Sequence, residues 1–239
     1  ISQLKTMESN CFRFRQFSIK HDKTAMRVGT DGVLLGAWCD TNMARRILDI
    51  GTGSGLIAIM LAQRSDAYIT GIEIDESAAI QAKENANNSP WKNRVEIIKC
   101  DIRKFYTNDK YDLIISNPPF FENNRTAEHN GRNIARQTLT LTHTELLESA
   151  SRLLTEQGSL AVILPEQATE KFIYLAWEKG IRLVHRTDVL TIPGKLPKRA
   201  LLQFSRKRTE PERSDTLTLC DAHGNKTPEY SMLTKDFYL

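Results

Sequence analysis

One short motif in the sequence contains residue types that could position an amino group for reaction. Asn117-Pro118-Pro119-Phe120 follows the apolar run YDLIIS, so we expect it at the end of a buried strand. Two consecutive prolines remove N–H donors and stiffen the chain, which could fix the Asn117 side chain and the Pro118 carbonyl as acceptors. A planar NH₂ group could donate to both acceptors while Phe120 stacks on its ring. The alternative is that the motif is a turn that only ends the strand.

A glycine loop followed by acidic residues predicts a ligand crevice near this motif. The loop is LDIGTGSGL, and its glycines are Gly51, Gly53 and Gly55. Glycines between a strand and a helix permit positive φ and a close approach of a ligand to free N–H groups. The G-x-G-x-G spacing differs from G-x-G-x-x-G, which counts against a dinucleotide enzyme.

The acidic residues Asp49, Glu73 and Asp101 lie at the ends of three successive predicted strands. Glu73 could accept hydrogen bonds from ribose hydroxyls, and Asp101 could accept one from the amine of a purine. Taken singly, Asp49 and Asp101 could instead be helix caps, and Glu73 a solvated loop acid. Three acids beside one glycine loop favour binding. Asp75 is expected only to cap the next helix.

Seven short apolar runs alternate with stretches of helical length over most of the chain. This alternation predicts an α/β fold with a doubly wound, mostly parallel seven-stranded sheet and helices on both faces. The last two runs have no helix between them, which predicts an antiparallel last strand. We expect one catalytic domain at 46–208 and an N-terminal extension, 1–45, that packs on it. The tail, 209–239, should contain a turn at DAHGN between two short strands.

The motifs DIGTGSG, GIEID and KCD resemble those of the class I S-adenosylmethionine-dependent methyltransferases, which have a Rossmann-like fold. The resemblance covers about 160 residues, from Ile47 to Arg206. It implies that Asp49 and the glycine loop hold the methionine part of S-adenosylmethionine, Glu73 the ribose and Asp101 the adenine amine. NPPF is similar to the motif of methyltransferases that act on adenine N6, guanine N2 or protein glutamine. The candidate catalytic residues are therefore Asn117, Pro118, Pro119 and Phe120, and Asn117 also lies beside the cofactor.

Three basic segments could contact nucleic acid. Residues 12–27 interleave cations with Phe12, Phe14 and Phe17, residues 195–208 hold six Lys or Arg and no acid, and residues 123–136 hold three Arg. The alternatives are an amphipathic strand for the first segment, a solvated face for the second and a mobile loop for the third. The candidate RNA contacts are Arg13, Arg15, Lys20, Lys23, Arg125, Arg132, Lys195, Lys198 and Arg199.

Over residues 12–206 the chain resembles the bacterial family that methylates N6 of adenine 37 beside the anticodon of a valine tRNA. QFSIKHDKTAMRVGTDGVLLGAW, NPPF and VILPEQ carry the resemblance. It implies that Thr30 and Asp31 lie near the cofactor, and that Phe120 replaces a more usual Tyr. An anticodon-loop adenine is single-stranded and can be splayed out at little cost. The alternatives are a ribosomal RNA methyltransferase, a protein glutamine methyltransferase and a non-enzymatic RNA-binding module.

Composition is that of an ordinary globular protein, since 40% of the residues are hydrophobic and 26% are charged. A net charge of +4 does not by itself indicate a partner. The four cysteines lack metal-ligand spacing and are expected to be reduced and mostly buried. No apolar stretch is long enough for a membrane span. We expect a cytoplasmic monomer that binds tRNA and S-adenosylmethionine but no metal.

Overall fold

The central feature of the molecule is a twisted sheet of eight strands, seen in a computed structural model that describes residues 10–24, 26–119, 141–207 and 212–239. The strands are β1 Cys11–Arg13, β2 Ser18–Lys20, β3 Arg46–Ile50, β4 Tyr68–Glu73, β5 Val95–Lys99, β6 Tyr111–Ser116, β7 Leu154–Pro165, β8 Arg182–Leu190, β9 Arg199–Ser205 and β10 Arg213–Thr218. The helices are α1 Thr30–Trp38, α2 Leu56–Arg64, α3 Glu76–Asn87, α4 His143–Leu153, α5 Glu166–Glu178 and α6 Pro228–Thr234.

The sheet has the strand order β10-β8-β9-β7-β6-β3-β4-β5. Strand β9 runs antiparallel to both β7 and β8, and the other pairs are parallel. The prediction of a doubly wound, mostly parallel sheet is therefore confirmed. The predicted antiparallel strand at the end of the catalytic domain is β9. The chain order reverses at β3, whose neighbours are β4 and β6, and ligands bind beside such a switch point in open sheets.

The predicted number of seven strands is wrong, because the tail adds an eighth. Strand β10 pairs in parallel with β8 at the sheet edge, with Thr216 opposite Asp188. Its sequence RSDTLT buries only Leu217, so it lacks the apolar run by which the other strands were found. The DAHGN turn is present, with Asp221 accepting N–H bonds from His223 and Asn225. It leads into α6 rather than into a second strand.

Two apolar layers cover the two faces of the sheet, because successive strand residues point to opposite sides. Ile47 and Leu113 pack against α1, α2, α3 and α6, whereas Leu48 and Ile114 pack against α4 and α5. All four strand residues are buried. Both layers leave the ends of the strands open to ligands.

The N-terminal segment forms a small hairpin that packs against α1 and α2. Strands β1 and β2 pair antiparallel, and Phe14, Phe17 and Ile19 join Val33 and Met60 in a third apolar cluster. Phe14 and Phe17 lie in the connection between β1 and β2 and are buried, so they offer no face to nucleic acid, although they do not belong to an amphipathic strand.

All four cysteines are free thiols, and of these only Cys39 is fully buried. The expectation of mostly buried cysteines is therefore wrong. Among the helices of the described ranges, none has the length and apolar character of a membrane span.

Candidate active site at the carboxyl ends of the strands

The carboxyl ends of β3, β4 and β6 bring the main predicted site residues to one edge of the sheet. Strand pairing places Asp49 opposite Ile115 and Ile50 opposite Ser116, so Gly51 and Asn117 both follow directly from paired strand ends. The Ser116 hydroxyl donates to the Ile50 carbonyl at 2.8 Å, which ties these two ends together. The predicted catalytic motif and the glycine loop are thus neighbours.

The glycine loop is held in a backbone conformation that needs glycine. Gly51, Gly53 and Gly55 have φ values of 72°, 57° and 82°. A Cβ atom at Gly51 or Gly53 would meet nothing within 4 Å, so open space lies beside the loop. Gly55 is the N-cap of α2, whose first N–H groups have no partner within the helix. The loop can therefore let a ligand approach the main chain closely.

Asp49 is a fully buried carboxyl with one unsatisfied oxygen. Its Oδ2 accepts a hydrogen bond from the Thr52 hydroxyl at 2.6 Å. Its Oδ1 is buried and makes no well-aligned hydrogen bond with the described residues, although the Ala58 N–H near the start of α2 also favours the ionised carboxylate. Burial raises the pKa of Asp49 to about 7, although the Thr52 bond opposes this shift. A buried acceptor without a partner beside the glycine loop is what a bound donor group would satisfy.

Glu73 supports the glycine loop from β4. Its Oε2 accepts the Gly53 N–H at 2.9 Å, and its Oε1 accepts the Asp75 N–H at 2.9 Å. The side chain is therefore held in place, and each oxygen retains a lone pair for a further donor. Asp75 caps α3 by accepting the Ala78 N–H, as the sequence predicts.

Asp101 is positioned by an arginine that sequence reasoning missed. The Arg103 guanidinium donates to both Asp101 oxygens, at 2.8 to 3.0 Å, and also contacts Glu145 at 3.2 Å. The bonds from Arg103 hold the pKa of Asp101 below its usual value. Asp101 also caps a short 3₁₀ turn by accepting the Arg103 N–H, so the capping alternative is correct. The sequence signal for this ion pair is an acid and an arginine two positions apart, Asp101 and Arg103.

A small cavity of about 50 Å³ lies between these elements. It is lined by Gly51, Glu73, Cys100, Asp101 and Leu141, among others. The glycine loop and the two acids thus share one recess at the ends of β3, β4 and β5.

Asn117, the first residue of the NPP motif, is half-buried. Its Oδ1 is buried, and nothing in the described part of the chain hydrogen-bonds to it. Pro118 is buried and Pro119 is exposed, while Phe120 lies outside the described residues. The unsatisfied Oδ1 is available to a donor from a ligand.

Asp31 and Arg199 form an ion pair at the same edge. Arg199 Nε lies 2.9 Å from Asp31 Oδ2, next to Thr30 at the start of α1. Arg199 also faces Pro165, the last residue of β7. Asp31, which is predicted to lie by the cofactor, is therefore ion-paired with Arg199, which is predicted to contact RNA.

Some of the other predicted RNA contacts already bond to groups of the protein, and the rest are exposed to solvent. Lys23 forms an ion pair with Glu84 at 2.7 Å, and Arg15 donates to the Tyr238 carbonyl. Lys20 is exposed and its main chain is held by Asn85. The remaining described candidates are exposed, namely Arg13, Lys195 and Lys198. Arg125 and Arg132 lie outside the described residues.

The residues present fit S-adenosylmethionine. Two buried oxygens without partners, on Asp49 and Asn117, flank a glycine loop beside which open space remains. Glu73 lies within the same recess and is available to hydroxyl donors. In the described ranges, no group of three or more His, Cys, Asp or Glu could hold a metal ion.

Comparison with known proteins agrees with this geometry. Residues 27–186 match the methyltransferase small domain family. The tRNA1(Val) (adenine(37)-N6)-methyltransferase of Bacteroides thetaiotaomicron is 43% identical over 98% of this chain and 99% of its own length. The proteins of the same name from Tolumonas auensis and Cronobacter sakazakii are 46% and 44% identical, over 98% and 100% of this chain and 98% and 99% of their own lengths.

Solved structures show the fold independently. A predicted O-methyltransferase from Agrobacterium tumefaciens superposes with a TM-score of 0.67 at 20% identity, over 87% of this chain and 96% of its own. A glycopeptide N-methyltransferase in complex with S-adenosylmethionine superposes with a TM-score of 0.54 at 11% identity, over 74% and 88%. The chain therefore belongs to the methyltransferase small domain family and, within it, to the family of the tRNA1(Val) (adenine(37)-N6)-methyltransferases.

Proposed function

We propose that this protein transfers a methyl group from S-adenosylmethionine to N6 of adenine 37 in a valine tRNA. The observation that carries the proposal is the pair of buried, unsatisfied oxygens on Asp49 and Asn117, one beside the glycine loop and one in the NPP motif. The first suits a donor on the cofactor and the second suits the amine of the target base. Relatives that are 42–46% identical over nearly their whole length bear this activity in their names.

Asn117 and Pro118 hold the target amine. Asn117 Oδ1 and the Pro118 carbonyl accept the two N–H bonds of the adenine amine, which fixes the direction of the nitrogen lone pair. When bound, S-adenosylmethionine supplies an electrophilic methyl group. Catalysis by this chain is then chiefly positioning, and the amine releases its proton after transfer, so no carboxylate is required as a base. Pro119 stiffens the motif and Phe120 stacks on the base.

The cofactor is held by the recess at the ends of β3, β4 and β5. Asp49 and the glycine loop bind its methionine part, Glu73 accepts from the ribose hydroxyls, and Asp101 faces the adenine amine. Because Arg103 occupies both Asp101 oxygens, Asp101 is oriented before the cofactor arrives. Thr30 and Asp31 close the same edge from α1.

The RNA approaches from the side of α1 and β9. The exposed Lys195 and Lys198 contact phosphates there, with Arg199 beside them, and exposed Arg13 and Lys20 extend the basic surface. Arg15 and Lys23 add positive charge, although each already contacts the protein. Arg125 and Arg132 complete the proposed set. The protein acts as a monomer of the cytoplasm, with its catalytic domain at 46–208.

The test uses the full chain, labelled S-adenosylmethionine and total RNA from a strain that lacks the gene. Nucleoside mass spectrometry should find N6-methyladenosine at one tRNA position. Asn117→Ala should abolish transfer and leave cofactor affinity nearly unchanged, whereas Asn108→Ala, which alters an exposed loop residue, should have full activity. N2-methylguanosine, or label in protein alone, would refute the proposed substrate.

A further inference from the structure

A groove lies at the amino ends of the strands, on the opposite side of the sheet from the candidate active site. It has a volume of about 690 Å³ and is formed by the starts of β3, β4 and β5 and the last turns of α3. Strands of five or six residues separate the two edges by about 15 to 20 Å. The binding of cofactor and target base does not account for this groove.

The groove is strongly cationic. Five of its lining residues are basic and one, Glu96, is acidic; the basic ones are Arg45, Arg46, Lys83, Lys92 and Arg94. Like charges gathered in a concave surface produce a positive potential that attracts polyanions.

Three of these cations are not neutralised by carboxylates. Arg45, Lys83 and Lys92 are exposed, and they form no ion pair with any residue that the structure describes. By contrast, Arg46 pairs with Asp109. Arg94 donates to three main-chain carbonyls at the carboxyl end of α2, which occupy its guanidinium.

An exposed aromatic side chain lies among the cations. Tyr68, the first residue of β4, is 66% exposed and lines the groove. A tyrosine that is open to solvent between lysines and arginines provides a surface for a base or a ribose next to phosphate contacts.

We propose that this groove binds the phosphodiester backbone of the RNA substrate, away from the methylated base. The proposal rests on the function proposed above. It is also consistent with the carboxyl ends of the strands, where Arg199 forms an ion pair with Asp31 and has less capacity for phosphate. Lys83 and Lys92 bind phosphates, and Tyr68 packs on the adjacent sugar or base.

The experiment measures binding of a full-length valine tRNA transcript to the wild-type chain over a range of salt concentrations. Lys83→Ala/Lys92→Ala should bind about tenfold more weakly at low salt, and the slope of log K against log salt should fall by about 2. The matched control is Lys171→Ala/Lys235→Ala, which removes the same charge from exposed positions on α5 and beside α6. Cofactor affinity and Tm should be equal in all three proteins.

Methylation kinetics separate this proposal from the proposed function. The groove variant should show a raised KM for tRNA and an unchanged kcat, because the reacting groups are untouched. A salt slope equal to that of the control variant would overturn the groove proposal and leave the groove a solvated face, or a site for another partner. A wild-type chain that binds tRNA without methylating it would refute the proposed function and not the groove.

Discussion

Asn85 on α3 donates a 2.8 Å hydrogen bond to the main-chain carbonyl of Ser54 in the glycine loop. The same amide group donates to the Lys20 carbonyl, and its oxygen accepts the Lys20 N–H. Asn85 is buried, so these bonds are made away from water. One side chain therefore connects the N-terminal hairpin with the loop proposed to hold the cofactor.

Asn85→Ala should destabilise the fold and weaken cofactor binding together. The substitution leaves the buried Ser54 carbonyl and the partly buried main-chain groups of Lys20 without this partner, which costs about 2 kcal/mol of unfolding free energy. Urea unfolding and calorimetric titration with S-adenosylmethionine measure the two effects. Asn87→Ala, an exposed position on the same helix, should change neither. Full cofactor affinity in a destabilised Asn85→Ala protein would show that the hairpin does not support the loop.

Asp49 should make the stability of the cofactor-free protein decline as pH rises. Folding raises its pKa from 3.8 to about 7, so the folded state binds this proton more tightly than the unfolded state does. The stabilisation is complete below about pH 4 and is lost progressively up to about pH 7, with an upper limit of about 4 kcal/mol.

The measurement compares unfolding free energies of wild type and Asp49→Asn between pH 4 and 8. The neutral amide cannot titrate, so the difference between the two curves isolates this carboxyl from the other acids. Asp75→Asn, at an exposed helix cap, is the control and should run parallel to wild type in this range. Parallel curves for Asp49→Asn and wild type would mean that Asp49 has an ordinary pKa.

Freeing Arg199 from Asp31 should strengthen RNA binding. The two side chains are about one-quarter to one-third exposed, so Asp31→Asn removes a partly screened partner from the guanidinium at little cost in stability. We expect tRNA affinity without cofactor to rise a few-fold, with a steeper salt dependence. Asp40→Asn, at an exposed acid after α1, controls for the change in net charge. An unchanged salt slope would place Arg199 away from RNA.

The sequence predicted the carboxyl-end cluster because its signals are local. The glycines, Glu73 and the NPP motif each follow an apolar run, and parallel strands bring such run ends to one edge. The roles of Arg103 and Asn85 were missed because they depend on which elements pack together. Arg103, for example, contacts Glu145 on α4, which is distant in sequence. The short strand before the DAHGN turn was predicted, but its place in the sheet as β10 was not, because an edge strand needs little apolar surface. The sequence left open whether Phe14 and Phe17 face RNA or the protein interior, because pattern alone does not show which face is buried.

Arg103, which lines the recess beside Asp101, should affect cofactor affinity chiefly by orienting that carboxylate. It joins Asp101 to Glu145, whose carboxylate also completes the N-terminal capping box of α4 with Thr142.

Arg103→Met removes both ion pairs while keeping an apolar stem of similar length. Asp101 then loses its fixed orientation, and the pKa of this carboxyl rises toward its usual value. We expect KM for S-adenosylmethionine to rise about tenfold, with kcat changed much less. Arg103→Lys, which retains the charge but loses the two-pronged contact, should fall between wild type and Arg103→Met. A KM equal to that of wild type in Arg103→Met, with α4 still folded by circular dichroism, would show that Asp101 needs no positioning residue.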